Sequence, residues 1–138
     1  MIPIVGDVLF DNEFEFSDGC KGEKWFIILA YVGDDTDNIY VARVTSHEKS
    51  PKVEACHGDD FQPVYFLHSG KSFRVDTWIQ FDQVLIFDFN RAACLKEFAR
   101  HKKQLSMATM FKIINCAAQS LHIDGYTEQA LLKQAALF

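Results

Sequence analysis

Eight consecutive residues, Trp25-Phe26-Ile27-Ile28-Leu29-Ala30-Tyr31-Val32, carry no charge, and glycines stand close on either side, at Gly22 and Gly33. A short run that is apolar at every position and rich in aromatic and branched side chains predicts a central strand buried on both faces. That strand needs partners, and the flanking sequence supplies them. Residues 5–10 read as a first strand, and 39–45 as a strand pairing back after a turn at 33–38. Further strands are expected at 53–56, around 64–67, at 72–78 and at 83–87. Residues 11–24 mix acids, two glycines and alternating Phe14 and Phe16, which suits a long hairpin loop with a short extended stretch.

After residue 90 the periodicity changes. Residues 91–104 carry apolar side chains at helical spacing with Arg, Lys and His between them. Ser106 offers a cap for a second, strongly apolar helix through Met107, Met110, Phe111, Ile113, Ile114 and Ala117. Asp124-Gly125-Tyr126-Thr127 interrupts the pattern, and a last helix begins at Thr127. Strands first and helices last predict the α+β class: a small antiparallel barrel over 1–90 with a helical extension over 91–138. At 138 residues and 49% hydrophobic, the chain is expected to fold as one soluble domain.

Charge separates the same two regions. Residues 1–90 hold 7 Lys/Arg against 16 Asp/Glu, net −9, while 91–138 hold 7 against 3, net +4. An acidic body repels phosphate chains, so any nucleic-acid role needs a local cationic site. The basic run Arg91, Lys96, Arg100, Lys102 and Lys103 reads either as a solvated helix face or as a contact for RNA phosphates or an acidic partner.

The cysteines, Cys20, Cys56, Cys94 and Cys116, form no C-x-x-C pair, and the start lacks the pattern of a secretory signal. Four reduced thiols in a cytoplasmic protein are therefore expected. Cys20, in a glycine-flanked loop, is the least poor candidate for a nucleophile. His47, His57, His68, His101 and His122 show no metal-ligand spacing, so no metal is expected. No apolar run approaches the ~18 residues of a membrane span.

Two polar groups stand out against this apolar frame. Thr45-Ser46 closes the predicted strand 39–45, where hydroxyls either hold a phosphate oxygen or bond their own backbone as turn initiators. Arg74 and Asp76 lie two apart in the predicted strand 72–78, which places them side by side on one face. They read as a phosphate clamp with a base, or as an ordinary ion pair on an exposed strand.

Gly6-Asp7-Val8-Leu9, Gly22-Glu23-Lys24 before Phe26-Ile27-Ile28-Leu29, Val41-Ala42-Arg43-Val44-Thr45-Ser46, and Phe73-Arg74-Val75-Asp76 together resemble the PemK/MazF/Kid family of toxin endoribonucleases. Order and rough spacing agree over about residues 5 to 88. The resemblance implies an SH3-like barrel that cleaves single-stranded RNA without metal or other cofactor, pairs as a homodimer and is neutralised by an antitoxin. It implies a site of Lys24, Thr45, Ser46, Arg74 and Asp76. Asp76 would take the ribose 2′-hydroxyl proton, Arg74 would stabilise the phosphorane, and Lys24, Thr45 and Ser46 would hold phosphate oxygens. Trp25 or Trp78 would stack an unpaired base. Where the family commonly has Arg-Pro entering the buried strand, this chain has Lys24-Trp25, which keeps the charge and loses the planar fork. The alternative is a barrel of the same family that no longer cleaves and acts as a protein-interaction module.

Overall fold

The structure is a computed structural model, and it describes residues 2–32, 35–59, 62–70, 72–100 and 102–138, with Asp35 and Thr36 described by backbone alone. Among these residues the chain forms β1 (Val8–Glu15), β2 (Lys21–Val32), β3 (Asp35–Thr45), β4 (Cys56–His57), β5 (Val64–Leu67) and β6 (Thr77–Asp88). The helices α1 (Phe89–Phe98), α2 (Met107–Ala117) and α3 (Gly125–Ala135) follow. All pairings are antiparallel, in the order β1-β2-β3-β6-β5-β4. The α+β class with a barrel-like sheet and C-terminal helices is as the sequence predicts, but β1 and β4 remain edges and the sheet does not close.

The central strand behaves as its composition requires. Phe26, Ile27, Ile28, Leu29 and Ala30 are all fully buried. Alternation sends Phe26 and Ile28 to one face, where they pack with Leu9, Ile39, Val41 and Phe87 beneath Ala92 and Leu95 of α1. Ile27 and Leu29 go to the other, against Ile113 and Ile114 of α2 and Leu131 of α3. The helices are thus the two outer layers of the core rather than an appendage. A third cluster, Val64, Phe66 and Trp78, fills the curled end of the sheet.

The charge imbalance between the two regions is resolved by contact. Lys96 on α1 binds the buried Asp7 carboxylate at 2.7 Å, and Arg91 reaches Asp11 at 3.2 Å while lying 4.0 Å over the Phe87 ring. Asp7 also accepts the Ile4 N–H, and the preceding Gly6, at φ 93°, has a conformation that side chains rarely adopt and would set a Cβ a tight 3.1 Å from the Leu105 carbonyl oxygen. The Gly6-Asp7 pair therefore joins the start of the chain to the helices.

Several expected boundaries shift. Residues 11–24 are mostly strand: β1 continues to Glu15 across an irregularity between Asp11 and Phe14, and only the 16–20 turn remains a loop. The first strand begins at Val8 rather than residue 5, and the strand expected at 53–56 shrinks to the two residues of β4. Of the strand expected at 72–78 only Thr77 and Trp78 are extended, and they run on without a break through 83–87 as one strand, β6, which reaches β5 through its first half and β3 along its length. Its pairing with β3 jumps from Ala42↔Val84 to Arg43↔Gln80, and Arg43 binds Asp82 within the bulge at 2.7 Å. Helix α1 starts at Phe89, capped by Asp88, and ends at Phe98. Ser106 caps α2 as predicted, whereas α3 starts two residues before Thr127, with Asp124 accepting the Thr127 N–H at 2.7 Å. Of the turn expected at 33–38, residues 35–38 already belong to β3, while residues 33 and 34, like His101, lie outside the described residues.

The thiol expectation is corrected. Cys56 and Cys116 form a disulfide that ties the edge strand β4 to α2 across 60 residues, leaving Cys20 and Cys94 exposed and unpaired. The two sulfurs lie 60 residues apart in the chain, a pairing that sequence spacing alone cannot reveal. Among the described residues no helix is long and apolar enough to cross a membrane.

Candidate functional site

A cleft of about 440 Å³ opens where the start of β2, the end of β3 and the segment before β6 meet. Lys24, Trp25, Thr45, Ser46, Phe73 and Arg74 line it. Four of the five residues assigned to a site by resemblance thus share one concavity. The fifth, Asp76, lines the neighbouring hollow with Lys52 and Trp78, and Ser46 borders both.

Asp76 stands outside the cleft because its segment is not strand. Residues 72–75 are a bend preceding β6, so the two-residue repeat that would set Arg74 beside Asp76 does not apply. The Asp76 carboxylate accepts the Ser69 N–H at 2.8 Å and stands 3.5 Å from the Lys52 ammonium. The Ser69 bond, reinforced by Lys52, holds its pKa below the usual carboxylate range. Arg74 is exposed and has no hydrogen-bond or ion-pair partner among the described residues. An uncommitted guanidinium at a cleft wall is available to clamp a phosphate.

The hydroxyls differ from each other. Thr45 accepts the His47 N–H at 3.1 Å, so it does serve as a turn initiator, and it brings His47 to the cleft wall. Ser46 is exposed at the rim. Lys24 is half-buried, and that burial, followed by the like charge of Arg43, lowers its ammonium pKa below the ordinary lysine value, with Asp82 opposing.

Three cleft features depend on the fold, although the sequence already offered Trp25 as a stacking ring and Lys102 within a basic run. Lys102 swings in from beyond α1, its ammonium 5.1 Å from the centre of the Trp25 ring and 5.7 Å from that of Phe73. Trp25 and Phe73 meet edge to face at 6.0 Å and form an aromatic wall. Phe16 reaches the cleft over Gly22, where a Cβ would come within 3.0 Å of its ring. Lys102 belonged to a recognisable basic run, but only the fold separates it from Arg91 and Lys96, which are engaged with the acidic sheet. Trp78, by contrast, is buried against Phe66 with its indole N–H on Ser50 at 2.9 Å, and so is part of the core.

The lining carries Lys24, Arg74 and Lys102 against Glu23, a local cationic site on an acidic molecule. Among the described residues no three His, Cys, Asp or Glu side chains cluster as a metal site would need. No protein-family model matches the chain, and a search of curated proteins returns no match.

Proposed function

We propose that this cleft binds single-stranded RNA and that the protein acts on it as a toxin-like endoribonuclease of the PemK/MazF/Kid kind. The observation that carries the binding reading is the pairing of three cations with an aromatic wall in one concavity. Cations track a phosphate chain, and a half-buried ring such as Trp25 at a cleft wall offers apolar surface to an unstacked base, which only a single strand presents. Support for cleavage comes from the resemblance at Thr45-Ser46 and Arg74.

The reaction is attack of a ribose 2′-oxygen on its own adjacent phosphorus, with loss of the 5′-oxygen, leaving a 2′,3′-cyclic phosphate and a 5′-hydroxyl end. Arg74 stabilises charge on the phosphorane, and Lys24, Ser46 and Lys102 hold non-bridging oxygens. The 2′-hydroxyl must give up a proton and the departing oxygen must gain one. Asp76, the base that the resemblance implies, lines the adjoining hollow; Glu23 and His47 are the cleft's own carboxylate and imidazole.

Asp76's position also favours a second reading, a barrel of the same kind that no longer cuts and serves as a protein-interaction module. Incubating the full-length protein with single-stranded RNA and mapping new ends separates the two. Products with 5′-hydroxyl ends that disappear in Arg74→Ala uphold the enzyme. Binding without cleavage refutes the enzyme and keeps the RNA cleft, whereas absence of RNA binding refutes the RNA reading and leaves the protein-interaction module. An antitoxin partner, a homodimer and a cytoplasmic location belong to the same proposal.

A further inference from the structure

Thr77 opens β6 and is only 3% exposed, yet its hydroxyl is closed off from solvent with no hydrogen-bond partner among the described residues. A buried hydroxyl left unpaired has given up water and received nothing in exchange, so such groups are rare in folded proteins. Thr77 also borders the cationic cleft. Among the described residues the other buried side-chain atom lacking a partner, Arg43 Nε, lies outside that lining and belongs to a guanidinium already bound to Asp82.

We infer that Thr77 contacts the bound nucleotide, its hydroxyl pairing with a ribose 2′-hydroxyl or a base edge. A threonine hydroxyl both donates and accepts, as either group requires, whereas phosphate oxygens are served by the cations. Thr45, the other threonine of the lining, already accepts the His47 N–H. The contact requires the Thr77 side chain to turn its hydroxyl toward the cleft when the nucleotide binds. This inference rests on the RNA-binding reading of the same cleft.

Thr77→Val keeps the shape and removes the hydroxyl. The full-length parent and variant are titrated with a short unstructured RNA oligonucleotide and with DNA of the same sequence, and both proteins are melted without ligand. The expected result is an unchanged or higher melting temperature together with RNA affinity lower by about three- to tenfold, the loss of one hydrogen bond. Loss confined to RNA identifies the 2′-hydroxyl as partner, and equal loss on DNA identifies a base edge. A variant that binds RNA as tightly as the parent overturns the assignment of Thr77 and leaves the RNA cleft standing. A melting point lowered by several degrees overturns it too, since the hydroxyl would then be bonded in the free protein. A parent that binds no RNA removes the cleft reading, and this inference with it.

Discussion

The Lys102 ammonium stands 5.1 Å from the centre of the Trp25 ring, a contact between the basic C-terminal region and the first residue of the apolar run in β2. It brings a positive charge and a half-buried ring to one wall of the cleft. Lys102→Ala is predicted to weaken single-stranded RNA binding uniformly across sequences. It should also make the log–log salt dependence shallower by about 0.7, one phosphate contact's worth. Trp25→Leu, which keeps apolar bulk, should cost about 1–3 kcal/mol of binding by losing a stacked base. Titrations at several salt concentrations check both.

Lys24 provides a test by pH. Burial lowers its pKa, so on raising the pH it loses its charge before an ordinary lysine does. RNA affinity should therefore fall below pH 10.5, and Lys24→Met should remove that part of the decline while lowering affinity at neutral pH. For stability the sign is opposite. The unfolded chain holds this proton more tightly, so the destabilisation from burying the charge is full below the folded pKa and is relieved as pH rises through it toward 10.5. The difference between parent and Lys24→Met in melting temperature against pH reads this directly.

Much of the fold was legible because it follows from local pattern. Phe26 to Ala30 are uniformly apolar and fully buried, and Ser106 announces its helix by capping chemistry. The site was less legible. Thr45 and Ser46 were placed correctly at a strand end, but the Arg74 and Asp76 geometry depended on assuming an extended segment. Residues 72–75 bend instead, and β6 begins at Thr77. Lys102, Phe16 and Thr77 join the cleft through long-range packing that periodicity does not encode. The Cys56–Cys116 bond likewise depends on the meeting of α2 and β4.

That bond yields a stability prediction. Replacing Cys56 and Cys116 together by serine should destabilise the fold by about 2–4 kcal/mol, because the closed 60-residue loop limits the unfolded chain. Denaturant titration of the oxidised parent and the variant checks it. Thiol counting should find the two exposed cysteines, Cys20 and Cys94, in the oxidised folded protein, and four thiols after unfolding in reductant.

The Asp7–Lys96 pair is the sharpest test of how the helices are attached. Lys96→Met leaves the Asp7 carboxylate buried with the Ile4 N–H as its remaining bonded partner. A cost of about 3 kcal/mol is expected, visible as a lower denaturation midpoint, with the cleft's RNA affinity unchanged under folding conditions. Asp7→Asn with Lys96→Met should restore part of the loss, since neither buried charge then remains.

The central claim is that the cleft takes a single RNA strand through cations and rings together. It is tested most directly by following Trp25 fluorescence, with Trp78→Phe as background, while titrating unstructured RNA and then the same RNA annealed to its complement. The account predicts a saturable change with the single strand that weakens with salt, is lost in Arg74→Ala with Lys102→Ala, and is far smaller with the duplex. Equal binding of single strand and duplex, or single-strand binding indifferent to both substitutions, would contradict it.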